Sequence, residues 1–147
     1  MNKKHQNDIE FFNLRVYALI IENEMILLSK ELIKGEITIK FPGGGVEPGE
    51  GIIDALQREG MEELEQNLNN IEHFYTTDFF QQSSFNPKDQ LISVYYKASL
   101  STDLLTNENT EPIPDQPVFI WKKLSTLNPT DLHFPIDRHV LNLIQKQ

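Results

Sequence analysis

Apolar residues recur along this chain with two periods. Residues 16–21 form an apolar run with β-branched and aromatic members, and residues 25–28 form another. Glu22, Asn23 and Glu24 between them suit a turn, so the two runs read as paired strands. In residues 36–41, Ile37, Ile39 and Phe41 alternate with Thr38 and Lys40, the pattern of a half-buried strand. A regular strand must stop at the following Pro42-Gly43-Gly44-Gly45. Helical spacing runs from Ile52 to about Leu68. Residues 71–80 and 91–99 are again strand-like, separated by a polar loop at 83–90, and 118–121 is a short strand. Residues 101–117 are polar and hold three prolines, which predicts a long loop. Ile136, Val140, Leu143 and Ile144 fall at i, i+4, i+7 and i+8, a closing amphipathic helix entered at Pro135. Strands outnumber helices and interleave with them. The expected class is α/β or α+β around a mixed sheet.

Composition narrows this. The chain has 147 residues, 39% hydrophobic, and one domain over 1–147 is the expectation. The absence of cysteine excludes disulfides, thiolate nucleophiles and cysteine-based zinc sites. No apolar run is long enough to span a bilayer, and residues 1–8 form a polar arm with no signal-like segment behind it. A soluble, cytoplasmic protein is therefore expected. A net charge of −9 and a pI near 4.8 argue against nucleic acid as a partner. The charge is concentrated: residues 47–65 hold seven acidic side chains and one basic one, Arg58, for a net of −6.

That window coincides with the first helix. At 100° per residue Ile53, Leu56, Gly60 and Leu64 share one stripe, the expected buried face. Glu59, Glu62 and Glu63 stand at i, i+3 and i+4 on the neighbouring strip, with Ala55 one turn earlier leaving room for approach. Like charges at these spacings repel by a few tenths of a kcal/mol each. A glutamate-rich face is ordinarily a solvated surface. Here the carboxylates border the buried stripe and follow a glycine cluster that ends a strand. A hard divalent cation such as Mg²⁺ is the partner that such oxygens suit.

Gly44, five residues, Glu50, seven residues, Arg58-Glu59, two residues, Glu62-Glu63: this resembles the Nudix box, G-x5-E-x7-R-E-U-x-E-E-x-G-U, over residues 44–66. Chance agreement at the fixed positions is on the order of 10⁻⁷ per starting point. The flanking KFPGGGVEPGE and FIWKKL look similar to the family's approach and late strand. Gly60 stands where the family has an apolar residue, which costs about 1 kcal/mol of helix propensity relative to alanine and points to close packing. Glu65 and Gln66 replace the usual glycine and apolar residue. Without that glycine the helix is expected to run on to Asn69-Asn70.

The resemblance implies an α/β/α sandwich and hydrolysis of a nucleoside diphosphate linked to another group. It implies that Glu59, Glu63 and the Gly44 carbonyl hold Mg²⁺ or Mn²⁺, with Glu62 a further ligand or the group that positions the attacking water. Glu59, Glu62 and Arg58 are then the catalytic set. Arg58 either orients the glutamates or makes a surface ion pair worth under about 1 kcal/mol. Glu50 ties loop to helix. A further base could come from the late loop, at Asp115 or Glu111. The family's marker for ADP-ribose, a proline downstream of the box, and its tyrosine for dinucleoside polyphosphates would fall near residues 81–84, which hold neither, and the SQPWPFPQS array for NADH is missing. Elimination leaves a nucleoside triphosphate, cleaved to monophosphate and diphosphate; ADP-ribose or a nucleotide sugar is the alternative, and a non-catalytic nucleotide sensor the alternative of another class. Phe79, Phe80 and Phe85 either stack a base or belong to the core. Arg15, Lys30 and Lys40 either meet phosphates or face solvent. The histidines show no metal-ligand spacing. Homodimers are common in the family, so a homodimer is a further expectation by analogy.

Overall fold

The computed structural model describes residues 8–106 and 110–147; residues 1–7 of the expected N-terminal arm lie outside it. The described elements are β1 (Phe11–Glu22), β2 (Met25–Ile33), β3 (Glu36–Lys40), β4 (Gly43–Gly45), α1 (Ile52–Leu64), β5 (Leu68–Thr76), β6 (Asp89–Leu100), β7 (Val118–Lys123) and α2 (Pro135–Gln145). β1 is the organising strand. Its length lets it pair parallel with β6 from Phe11 to Ile20, antiparallel with β4 on its other side, and antiparallel with β2 at its far end. Asn23 and Glu24 both take positive φ, as a two-residue hairpin requires for its twist to match the strands. β2 lies between β3 and β7, and β5 closes the other edge against β6. The sheet is thus mixed, and the parallel pair is joined through a crossover that contains α1.

Alternation along β1 sends side chains to two cores. Val16, Ala18 and Ile20 join Leu27, Ala98 and Phe119 under Ala55, Leu56 and Leu64 of α1. Tyr17 and Leu19 join Leu28, Phe41 and Tyr95 under Ile136, Val140, Leu141 and Ile144 of α2. One helix covers each face of a single domain, the expected α/β/α arrangement in an α+β protein.

Four local expectations are corrected. α1 stops at Leu64, because Glu65 itself takes the left-handed conformation (φ 57°) and Gln66 N–H donates back to the Gly60 carbonyl at 3.4 Å. The buried Gln66 amide then accepts from the Ser101 and Thr102 N–H groups, so this side chain holds the helix end in place of a glycine cap. On α1, Ala55 is fully buried where Ile53 was expected, and Ile53 is 47% exposed. In β3 the apparently polar side is the enclosed one: Thr38 and Lys40 are buried while Ile37 is largely exposed. Gly43–Gly45, read as the end of a strand, resumes pairing with β1 after a two-residue break.

Candidate active site

β4 brings the glycine segment against both β1 and α1. Ala18 N–H donates to the Pro42 carbonyl at 2.8 Å and Val46 N–H to the Leu14 carbonyl at 2.9 Å. The alternation of an antiparallel ladder then makes Val16 and Gly44 the pair that exchanges both bonds. The Gly44 carbonyl therefore faces β1, a correction to its expected turn toward a metal. Gly43 is the glycine whose carbonyl looks the other way, and Lys40 Nζ donates to it at 3.1 Å. What Gly44 supplies is space: a Cβ there would stand 2.4 Å from Glu59 Oε1.

Three carboxylates of α1 separate by environment. Glu59 is largely enclosed, and burial raises its pKa against the lowering pull of Arg58. Glu63 is pushed up to about 7, first by burial, then by Glu31, Glu59 and Glu62, with Lys40 opposing. Glu62 is the exposed member, 3.3 Å from Arg58 Nη1. Arg58 organises the turn-and-helix unit. Its Nε and Nη2 grip both oxygens of Glu50 at 2.7 and 2.9 Å, Nη2 also donates to the Gly45 carbonyl at 2.9 Å, and Nη1 reaches Glu59 at 3.2 Å. This fork holds Glu50 down to about 2. A lysine has no such fork. Arg58→Lys is therefore expected to lower stability by about 1–2 kcal/mol and kcat/KM at least tenfold, checked by urea denaturation and steady-state kinetics.

A cavity of about 290 Å³ opens beside these groups, lined at one end by Gly44, Glu59, Glu63 and Arg15. Lys40, buried and also lining it, pairs with Glu31 at 2.8 Å. Burial works against the Lys40 ammonium, but Tyr17, Glu31 and Glu63 more than offset this and raise its pKa. Arg15 Nε donates to Tyr17 Oη at 2.6 Å, and Tyr17 stacks on Tyr95 with centroids 5.2 Å apart. The cavity's inner wall carries Asp137, in the first turn of α2, which accepts from Tyr95 Oη and from Phe41 N–H. Burial pushes Asp137 up to about 6 from 3.8. A folded-state pKa above the unfolded one means that the native state holds the extra proton between pH 4 and 6, so stability falls as pH rises through that window. Tyr17, Tyr95, Lys40 and Arg15 are the ionisable groups facing it. Asp137→Asn should remove about 3 kcal/mol of that fall, measured by denaturation at pH 4, 5, 6 and 7.

The structure brings Arg15, Lys40, Gly44, Glu59 and Glu63 to one cavity, with Arg58 and Glu62 just outside its lining. It does not bring Phe79, which packs against His139, whereas Phe85 does reach the cavity. Glu111 lies in the late loop, paired with Lys30 at 3.4 Å, and Asp115 occupies a left-handed turn position; neither lines the cavity. Sequence reading passed over Glu31, Tyr17, Tyr95 and Asp137. The available signal was a polar residue at every second position of two apolar strands, Ser29 and Glu31 facing Lys40 and Thr38 across β2–β3.

The chain matches the NUDIX domain family over residues 12–142. It belongs to the Nudix family. No curated protein matches it. Among solved structures it is similar to a NUDIX hydrolase from Nitrosomonas europaea (18% identity, TM-score 0.72, 91% of this chain and 88% of that one). It is also similar to a MutT NUDIX hydrolase from Burkholderia pseudomallei (24%, 0.71, 90% and 98%) and to a protein described as an ADP compounds hydrolase (18%, 0.65, 91% and 71%). At these identities the likeness establishes the shared fold. Family membership makes the protein a hydrolase of diphosphate bonds in small nucleotide compounds, and Nudix hydrolases generally use a divalent metal. The donor set suits one. Glu59 and Glu63 are hard oxygen donors enclosed together, and the missing side chain at Gly44 lets the Glu59 carboxylate lie against that backbone. Among the described residues no three carboxylate or imidazole groups converge as a finished metal cage. Mg²⁺ is commonly held by one or two carboxylates and the phosphates of its substrate. Among the same residues no helix is long and apolar enough to cross a membrane.

Proposed function

We propose that this Nudix protein is a Mg²⁺-dependent pyrophosphohydrolase, Mn²⁺ serving in its place, that cleaves a nucleoside triphosphate to the monophosphate and diphosphate. The observation that carries this is the pairing, in one cavity, of two enclosed carboxylates, Glu59 and Glu63, with two cations, Arg15 and Lys40. Glu59 and Glu63 would hold the metal; when bound it neutralises charge on phosphoryl oxygens and lowers the pKa of a water. Arg15, braced by Tyr17, faces the phosphate chain and orients it, and Lys40, whose donors go to Glu31 and to the Phe41 and Gly43 carbonyls, adds positive charge behind it. Glu62, exposed and within reach of solvent, accepts the proton of the attacking water as its oxygen bonds to phosphorus and the bridging P–O bond breaks. Arg58 acts on Glu59 and Glu62 through the hydrogen bonds described, as a positioning residue. The expected residence is the cytoplasm, with no nucleic-acid partner.

The test is Mg²⁺-dependent turnover across nucleoside triphosphates, ADP-ribose, dinucleoside polyphosphates and nucleotide sugars. Nucleoside triphosphates should give the highest kcat/KM, with diphosphate released. Preference for another member of the panel would move the substrate assignment. Tight nucleotide binding with no turnover would instead mark a sensor.

A further inference from the structure

We propose that Glu31 reads the sugar of the nucleotide, its free carboxylate oxygen accepting a hydrogen bond from a sugar hydroxyl. Ser29 Oγ and Lys40 Nζ both donate to the same oxygen, Oε2, each at 2.8 Å. Among the described residues no donor reaches Oε1, and since no buried side-chain oxygen lacks a partner, Oε1 is open to the solvent of the cavity that Glu31 lines. The arrangement is rigid, because Ser29 and Lys40 are both buried and fix the carboxylate in one orientation. A charged acceptor held this way has no folding task left for its second oxygen.

Its place along β2 says what it meets. Lys40 also donates to the Gly43 carbonyl, so the Oε2 side of Glu31 adjoins the glycine segment and the phosphate end of the cavity. The next residue on the same face, Ile33, lies about 7 Å farther along the strand and lines the opposite end with Phe85 and Phe134, whose rings meet edge to face at 5.9 Å. Glu31 thus stands between a charged end and an apolar, aromatic end. In a nucleotide the group between phosphates and base is the sugar. A carboxylate repels phosphate and offers nothing to a ring face, but it is a strong acceptor for hydroxyls, a pairing that recurs in nucleotide-binding sites.

This rests on the nucleotide reading, and it is tested by binding, so that its failure is distinct from a failure of turnover. Calorimetric titration in Mg²⁺ compares AMP with 2′-deoxy-AMP and 3′-deoxy-AMP, which separates the two hydroxyls, and CMP with UMP, which reports a base amino group. In the wild-type protein the loss of one hydroxyl should weaken binding about tenfold. Glu31→Gln keeps an amide oxygen for Ser29 and Lys40 and presents an N–H₂ donor to the cavity; it should bring the sugar ratio to within twofold. Equal affinity of the wild type for all three sugars overturns the proposal, as does the absence of monophosphate binding. So does a Glu31→Gln effect confined to the CMP/UMP ratio, which would place the contact on the base. Should Glu31→Gln fail to fold by circular dichroism, the wild-type comparison decides alone, and Glu31→Asp, which withdraws the free oxygen by one methylene, should give an intermediate ratio.

Discussion

Glu63→Gln is expected to lower kcat at least hundredfold and, in the absence of metal, to make the protein more stable above neutral pH. Both effects have one cause. Burial and three neighbouring carboxylates push Glu63 up to about 7 from its usual 4.5, with only Lys40 opposing. The native state therefore binds a proton more readily than the unfolded chain between those values. The group's favourable contribution is complete below pH 4.5 and is lost as pH rises through 7. The associated fall is about 3 kcal/mol, and glutamine, which carries no charge, escapes it. A divalent cation should recover the same energy by another route. Adding Mg²⁺ at pH 8 should raise the melting temperature of the wild-type protein and do little for the variant. Thermal unfolding at pH 5 and pH 8, with EDTA or with Mg²⁺, checks all four combinations. Retention of turnover by the variant would remove Glu63 from the metal site.

Adjacent glycines should fail in opposite ways. At Gly43 an added Cβ would meet the Val16 carbonyl oxygen at 2.1 Å and Tyr17 Cα at 2.8 Å, and φ is +147°. Both obstacles are backbone of the central strand, so nothing can yield without breaking the β1–β4 ladder. Gly43→Ala is expected to cost more than about 3 kcal/mol and to cripple the fold. At Gly44 the obstacle is the Glu59 carboxylate, the end of a flexible side chain. Gly44→Ala should fold with stability within about 1 kcal/mol of wild type and yet lose turnover at least hundredfold, because Glu59 must swing out of the cavity. Denaturation midpoints and kinetics of the two variants, measured side by side, separate the outcomes. Equal loss of stability in both would show that Gly44 is merely a folding residue.

The sequence disclosed one wall of the cavity and concealed the other. Glu59 and Glu63 of that wall, and Glu62 just outside it, were legible because a helix converts spacing directly into direction, so that i, i+3 and i+4 must share a face. Glu31, Tyr95 and Asp137 come from three elements that meet only after the sheet forms, and no local period records their meeting. β3 misled for a related reason. Alternation tells two faces apart without saying which is enclosed, and here Thr38 and Lys40 lie on the enclosed face while Ile37 lies on the open one. Phe79 and Phe85 had equal standing as candidates for a base contact; which one reaches the cavity is set by the β5–β6 connection, and its course is a tertiary fact. The helix end went wrong because Glu65 adopts a conformation that its side chain disfavours, stabilised by the Gln66 amide that grips a distant loop.

The parallel pairing of β1 with β6 also sets an order of events. Arg15 and Tyr17 on β1 find Ser93 and Tyr95 opposite them on β6, across a stretch of chain that includes β2, β3, β4, α1 and β5. Closing so long a loop costs entropy before any contact offsets it, which makes such pairings late and slow. The β1–β2 hairpin and α1, built from near neighbours, can form early. During synthesis the whole acidic helix emerges before β6 exists, so its clustered carboxylates spend that interval in water, where their repulsion is screened. They are enclosed when α1 docks on β1 and β4, and the cavity they face is complete only when β6 adds Ser93 and Tyr95. Arrival of activity should therefore follow the slowest phase of refolding, well after helical signal has returned.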